Sequence, residues 1–313
     1  MSLTIGVDIG GTKVAAGVVD DDGTILARTR KDTPSHDAGE VCRVVVDCIA
    51  ELNADHEVRA VGIGAAGFVD AARSTVLFAP NLAWRNEPLK AMIEQLAALP
   101  VVVENDANAA AWGETRFGAG KGEQFTVTVT VGTGIGGGIV LGGQLYRGAY
   151  GVASEIGHML VEPRGRQCGC GNFGCLEMYA SGNALVREAR ERADRSPERA
   201  PVLLELAGGK ADAITGPQVT EAAMAGDEVA VTSFELIGTW LGCGLASLAA
   251  VLDPRVFIVG GGVSLAGELL LGPARTAFAE QLTAGSHRPK AELRLAELGN
   301  DAGLVGAADL ARH

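Results

Sequence analysis

Residues 3–8 form an apolar, β-branched run that predicts a strand; Gly10-Gly11 interrupts it and residues 13–19 resume it. Asp22-Gly23 is a tight-hairpin signal, and residues 24–30 return as a third strand. The succession recurs about 120 residues further on, a domain-sized interval. Phe125-Thr126-Val127-Thr128-Val129-Thr130-Val131 alternates within a strand over 124–131, which runs into the turn Gly132-Thr133-Gly134. A strand over 135–141, the hairpin signal Gly142-Gly143 and a short strand over 144–146 follow. Two copies of strand, Gly/Thr turn, strand and hairpin predict an internal duplication and two related lobes. Between them, helical spacing over 40–52 and 89–99 alternates with strands over 58–66 and 101–103. The last of these strands leads straight into Glu104-Asn105-Asp106 and an Ala-rich helix over 107–117. Beyond the second copy, helices over 185–193 and 229–252 precede a strand over 256–259, Gly260-Gly261-Gly262 and a helix from about Ser264. Such alternation predicts an α/β fold with helix-covered sheets.

A chain of 313 residues accommodates about two domains. The formal charge of −12, from 26 basic and 38 acidic residues, excludes nucleic acid and anionic membranes as natural partners. The segment over 125–146 carries no charge, but its seven glycines and its alternation mark strand and turn. Residues 236–252 are uncharged yet fall short of the ~20 apolar residues of a span, so they predict a buried helix stopping at Asp253-Pro254. The first residues lack a basic segment followed by an apolar helix, so no signal peptide is expected and a cytoplasmic location is.

Glycine is abundant, with 44 residues, and several of its motifs have to be discounted. GxGxxG occurs at Gly62-x-Gly64-x-x-Gly67 and at Gly132-x-Gly134-x-x-Gly137, but neither opens a predicted helix, as a dinucleotide loop must. Lys121 lacks the flanking residues of a Walker A loop. What remains is Asp8-Ile9-Gly10-Gly11-Thr12-Lys13 between two strands, matched by Gly132-Thr133-Gly134 in the second copy. A tight Gly turn brings backbone N–H groups close to a ligand and Thr adds a hydroxyl donor, so two such turns suit a polyphosphate. Alone, each would read as an ordinary hairpin turn; doubled, with an acid at the end of the first strand, they favour phosphate. Asp8 is placed to hold Mg²⁺, directly or through water. Asn105 and Asp106, at a strand end and helix start, suit N-capping. Glu104, Asn105, Asp106 and Asn108 together exceed what a cap needs, and a carboxylate there can accept a proton from a substrate hydroxyl.

Of the six cysteines, Cys168, Cys170 and Cys175 lie within eight residues, separated by glycines. Three thiols and His158, ten residues before Cys168, make a Cys₃His set suited to tetrahedral Zn²⁺. Four protein ligands leave no open position, so such a metal is structural. It would pin Glu155 and Glu177 in one neighbourhood, fit to accept hydrogen bonds from the vicinal hydroxyls of a sugar. Cys42, Cys48 and Cys243 are left as core residues.

Taken in order, these motifs, with Glu104-Asn105-Asp106-Ala107-Asn108, Gly132-Thr133-Gly134-Ile135-Gly136-Gly137-Gly138, Glu155-Ile156-Gly157-His158 and Gly260-Gly261-Gly262, resemble the ROK family of sugar kinases and repressors, specifically its bacterial glucokinases. The resemblance spans essentially the whole chain. It implies a two-lobed actin-like ATPase (ribonuclease H-like) fold with an interlobe cleft, and a C-terminal helix over 304–312 packed back on the first lobe. The expected lobes are 1–117 plus 300–313, and 118–299 carrying the zinc site, with the boundary at the Gly-rich stretch 118–122. The resemblance makes Asp106 the catalytic base in phosphorylation of the glucose 6-hydroxyl by ATP. It makes Asn105, Glu155, His158 and Glu177 sugar contacts, with Gly67 and Asn81 as further ones. Gly11, Thr12, Thr133, Gly134 and Gly261 match nucleotide or phosphate contacts, and Asp8, Lys13 and Gly262 lie in the same motifs. His158, Cys168, Cys170 and Cys175 match zinc ligands, and the family's members are usually dimers or tetramers. Competing expectations are a kinase for N-acetylmannosamine, mannose or fructose, polyphosphate as donor, or a sugar-sensing regulator, which would carry a DNA-binding helix pair ahead of the first strand.

Overall fold

The computed structural model describes residues 2–34, 36–79 and 82–313. In chain order, its first half comprises β1 (Leu3–Ile9), β2 (Lys13–Val19), β3 (Ile25–Asp32), α1 (Ala38–Asn53), β4 (Val58–Ala65), β5 (Phe68–Val69), β6 (Val76–Phe78), β7 (Arg85–Glu87), α2 (Leu89–Ala97), β8 (Val101–Asn105) and α3 (Asp106–Phe117). Then come β9 (Thr126–Val131), β10 (Ile135–Leu141), β11 (Gln144–Leu145), α4 (Glu177–Ala180), α5 (Gly182–Arg195), α6 (Pro201–Leu206), α7 (Gly216–Met224) and α8 (Glu228–Leu252). The chain closes with β12 (Val256–Gly260), α9 (Glu268–Gln281), β13 (Glu292–Leu295) and α10 (Ala302–Leu310).

Two compact units result. One holds Met1–Thr128, Gly137–Ser154 and Ala296–His313, and the other holds Val129–Gly136 and Glu155–Leu295. In the first, a five-stranded sheet runs β3-β2-β1-β4-β8. The hairpin strands β2 and β3 are antiparallel, whereas β1, β4 and β8 are mutually parallel. Register places Asp8 opposite Gly64, and Gly64 opposite Glu104, so the acids gather at the C-terminal ends of the parallel strands. Open α/β sheets bind ligands at that edge. Ile5, Val7, Ile63 and Val103 are fully buried there, and α1 covers them with Val41, Val45, Cys48 and Ile49. Cys42 and Cys48 are buried as expected, and burial pushes the Cys42 thiol up to about 11.

The helix expected near 304–312 spans Ala302–Leu310 and packs on α3, β1 and β4 within the first unit. Its approach is backbone to backbone. A Cβ at Gly6 would stand 1.9 Å from the Leu304 carbonyl oxygen, and one at Gly62 would stand 1.7 Å from that of Ala307. The first GxGxxG thus serves strand–helix packing and opens no helix.

The second sheet runs β11-β10-β9-β12-β13, with the division between units falling inside β9 and β10. In the second unit, α8 spans Glu228–Leu252, one residue earlier than the helix expected over 229–252, and Asp227 caps it by accepting from the Ala230 N–H at 3.1 Å. It stops where expected, at Asp253 in the left-handed region. Among the described residues it alone has the length and apolarity of a membrane span. Phe234, Ile237, Leu241 and Leu245 are nevertheless fully buried, and Gly242 lets the α9 backbone come close. It is a core helix. The small sheet β5-β6-β7 and the helices α4, α6 and α7 were not foreseen. Strands of two or three residues carry no periodicity, and Gly216-Pro217 reads as a turn although Thr215 and Gln218 form a capping box that starts α7 there.

Candidate active site

Asn105 ends β8 and caps α3. Its Oδ1 accepts from the Asn108 N–H at 2.9 Å, while its Nδ2 donates to the Gly67 carbonyl at 3.1 Å and to Asp106 Oδ1 at 3.0 Å. Asp106 Oδ1 also accepts from the Ala107 N–H at 2.9 Å. Cap and candidate chemistry therefore coincide in one dipeptide. Burial pushes the Asp106 carboxyl above its ordinary range, and Asp8 is pushed up to about 6, first by burial and then by the negative charge of Asp106. A Cβ on Gly64, on β4 between β1 and β8, would meet the Ala109 methyl, Asp106 Cα and the Val7 carbonyl oxygen each at 3.7 Å, and Gly303 of α10 faces the Asp8 carboxyl. Asp8 and Asp106 are thus two half-buried carboxylates that oppose each other's ionisation, a setting whose hard oxygens suit a cation such as Mg²⁺.

Gly10, Gly11 and Thr12 form the turn between β1 and β2, closed by the Gly10 N–H donating to the Lys13 carbonyl at 3.0 Å and by Thr33 Oγ1 donating to the Gly10 carbonyl at 2.9 Å. Thr12 and Lys13 are exposed. Gly67 lies against the Phe78 carbonyl and Ala79, where a Cβ would meet backbone at 2.4 Å. Asn81 lies outside the described residues.

The counterpart turn belongs to the second unit. The Gly132 N–H donates to the Gly134 carbonyl at 3.0 Å, and the carbonyls of Gly132 and Thr133 accept from the N–H groups of Gly182 and Asn183 at the start of α5. Thr133 and Gly262 line a groove of about 790 Å³ together with Asn183, Pro217, Thr220 and Met224. Its walls are mainly apolar, and the first turns of α5 and α7 face it. Val186, Met224 and Leu265 supply apolar lining, and helix N-termini favour anionic groups. Gly261, at φ +85°, has the Val131 carbonyl so close that a Cβ would meet it at 2.5 Å. Sequence reasoning missed Asn183 and the whole α7 wall; the capping box at Thr215 was the signal that could have exposed the latter.

His158 ends a short 3₁₀ turn, Ile156–His158, and the glycines of the 168–175 loop fold three thiols back on it. One ligand atom from each of His158, Cys168, Cys170 and Cys175 lies within 4.8 Å of all the others. The separations are 3.7 Å for Cys170 Sγ to Cys175 Sγ and 3.6 Å for Cys168 Sγ to His158 Nδ1. Burial raises the Cys168 and Cys175 thiols, whereas the Asn172 backbone N–H lowers that of Cys170. Glu155 and Glu177 flank the cluster, as the spacing foretold. His158 Nε2 lies 3.9 Å from Glu155 Oε2, and Glu177 Oε1 accepts from Cys168 Sγ at 2.9 Å. The other Glu177 oxygen reaches the Gly132–Gly134 turn, where a Cβ on Gly134 would stand 2.6 Å from it.

The fold and these motifs define a two-lobed sugar kinase of the actin-like ATPase type. The sequence model of the ROK family matches residues 4–313, and the chain belongs to that family. It is 54% identical to a glucokinase of Streptomyces coelicolor over 317 aligned positions, covering 100% of this chain and 98% of that one. It is 38% identical to a glucokinase of Thermotoga maritima, over 99% and 97% of the two chains. Among solved structures, a ROK family glucokinase from Streptomyces griseus in complex with glucose and AMPPNP matches with a TM-score of 0.89 and 57% identity, over 99% of each chain.

Proposed function

We propose that this chain is an ATP-dependent glucokinase that transfers the γ-phosphoryl group of ATP to the 6-hydroxyl of D-glucose. The observation that carries the reading is the Asn105-Asp106 pair, a buried carboxylate fixed at a helix start beside a second acid. The complex of the Streptomyces griseus relative with glucose and AMPPNP supports the choice of both substrates.

Asp106 Oδ1 carries the bonds from Asn105 and Ala107, which leaves Oδ2 for the sugar hydroxyl. Burial raises its basicity, which suits proton acceptance near neutral pH. The proton of the 6-hydroxyl passes to Asp106 as that oxygen bonds to the γ-phosphorus and the bond from phosphorus to the bridging oxygen breaks, releasing ADP. Asn105, Gly67, Asn81, Glu155, Glu177 and His158 orient the sugar. The turns at Gly11-Thr12 and Thr133-Gly134, with Lys13, Gly261 and Gly262, direct donors at the phosphates. Asp8 would hold Mg²⁺, which supplies positive charge against the triphosphate.

The cysteine cluster fits zinc. Tetrahedral bonding at ~2.3 Å to sulfur and ~2.05 Å to nitrogen requires S···S and S···N edges of about 3.8 and 3.6 Å. Two of the six edges, at 3.7 and 3.6 Å, lie close to those lengths, and all four ligand atoms fall within 4.8 Å of one another, which supports the reading. His158, Cys168, Cys170 and Cys175 would hold such a zinc as a closed four-ligand site, which would brace Glu155 and Glu177. The family resemblance further supports a cytoplasmic dimer or tetramer.

The test is coupled ADP release over glucose, mannose, N-acetylmannosamine and fructose, with ATP and polyphosphate as donors. Glucose with ATP should give the highest kcat/KM; no turnover with any hexose overturns the reading.

A further inference from the structure

Beneath the Asn105-Asp106 dipeptide lies an ion cluster that the proposed chemistry does not use. Glu104, on β8, has a side chain only 1% exposed. Its Oε1 accepts from the Asn105 backbone N–H at 2.9 Å and from Asn108 Nδ2 at 3.1 Å. Its Oε2 lies 2.7 Å from Arg147 Nε and 3.2 Å from Arg73 Nε. Arg147 is 10% exposed, and its two remaining nitrogens donate to the carbonyls of Ala71 and Asp70 at 2.9 and 2.8 Å. Arg73, with φ +55°, sits in that same 70–75 turn, whose backbone is fastened by Asp70 accepting from Ser74 and Thr75. The Arg73 carbonyl in turn accepts from the Val103 N–H of β8.

Burying one carboxylate between two guanidiniums is costly unless its geometry is fully used. Val101 and Val103 point to the opposite face of β8 and pack in the core, so Glu104 stands on a face of the strand where its burial is sustained by polar partners. What Glu104 does with its second oxygen is hold the two residues, Asn105 and Asn108, that close the cap around Asp106. Neither arginine bonds to Asp106 in the contacts described, so any effect on it passes through Glu104.

We infer that Arg147, with Arg73, is a positioning residue: clamped to the 70–75 turn, it fixes Glu104, and through Asn105 and Asn108 sets the orientation of the Asp106 carboxylate. This deepens the proposed reading of Asp106 as base and rests on it. A misplacement of about 1 Å at a reacting group costs ~100-fold in rate. Loss of the clamp should therefore appear in kcat with little change in substrate affinity.

The experiment compares wild type, Arg147→Met, Arg147→Lys, Glu104→Gln, the Glu104→Gln/Arg147→Met double variant and Asp106→Asn. It measures kcat, KM for glucose, calorimetric Kd for glucose and thermal midpoint. Arg147→Met should lower kcat by ~10–100-fold while Kd for glucose moves less than about threefold. Arg147→Lys, which keeps the charge but not the fork, should recover part of that loss. The double variant should be no slower than the worse single variant, because both changes break one chain of contacts. Three results overturn the inference: a kcat within twofold of wild type for Arg147→Met, losses that multiply in the double variant, or loss of glucose affinity in step with kcat. If Asp106→Asn itself keeps near-wild-type turnover, the reading of the base fails instead. Should Arg147→Met not fold, the Arg147→Lys and Glu104→Gln comparisons decide the question alone.

Discussion

Asp8→Asn should stabilise the ligand-free protein while disabling it. In the fold the Asp8 carboxyl titrates at about 6 against an ordinary 3.8, because burial first, and then the charge of Asp106, oppose its ionisation. The folded chain thus holds this proton more tightly than the unfolded chain. Stability from it is present in full below pH 3.8 and is lost as pH rises through 6. Asparagine keeps the shape and never ionises, so the gap between variant and wild type widens with pH. Referred to its low-pH value, the gap works out at about 1.5 kcal/mol at pH 5 and about 3 kcal/mol at pH 8. Groups that titrate alike in both proteins cancel in the comparison. The assay is urea denaturation of metal- and nucleotide-free protein at half-unit pH steps from 5 to 8. The variant's midpoint should exceed that of wild type by a growing margin, while kcat/KM for ATP falls steeply. A margin that is constant or shrinks with rising pH would refute the argument that the site strains an acid to receive a cation.

Asp106→Asn should cut turnover by ~10²–10⁴-fold with glucose binding and thermal midpoint nearly unchanged, measured by calorimetry and melting. Purified protein should contain ~1 equivalent of zinc by elemental analysis, and Cys170→Ser or prolonged chelation should remove it, lowering both the midpoint and glucose affinity. A midpoint that ignores chelation counts against the brace. Gly62→Ala places a methyl 1.7 Å from the Ala307 carbonyl oxygen. It should cost ~1–3 kcal/mol in urea denaturation through displacement of α10, and an unchanged midpoint would show that the helix yields freely.

The strand pairs, the Gly/Thr turns, the start of α3 and the gathering of His158 with three cysteines were legible because each rests on a local pattern. Alternation makes β9, a glycine makes a turn, and three thiols within eight residues come together where glycines let the loop bend. The groove beside Thr133 was not, since its walls come from α5, α7 and the segment after β12, which meet only in three dimensions. Arg147 was equally hidden: an isolated arginine in a glycine-rich loop has no pattern, and its partner Glu104 lies 43 positions earlier. Gly118-Ala119-Gly120-Lys121-Gly122 reads as the boundary between lobes, and in the structure the N–H groups of Gly118 and Gly120 close the end of α3 by donating to the Glu114 carbonyl. The backbone folds back over Glu114, whose carboxylate a Cβ on Gly118 would strike at 2.2 Å, and residues 118–128 cluster with the first unit. Small residues look alike whether they loosen a chain or let it pass close to itself.

The seat of α10 has a consequence for how the protein is made. Its glycine-lined contacts with β1 and β4 join Gly6 to Leu304 and Gly62 to Ala307, among the longest closures the chain can make. A ribosome adding ~5–20 residues per second needs ~8–30 s to pass from residue 154 to residue 310. Throughout that time the first sheet waits with Gly6 and Gly62 bare, a slot shaped to accept backbone. Newborn chains are therefore most open to chaperones, and to mispairing, at the part of the molecule that was synthesised first.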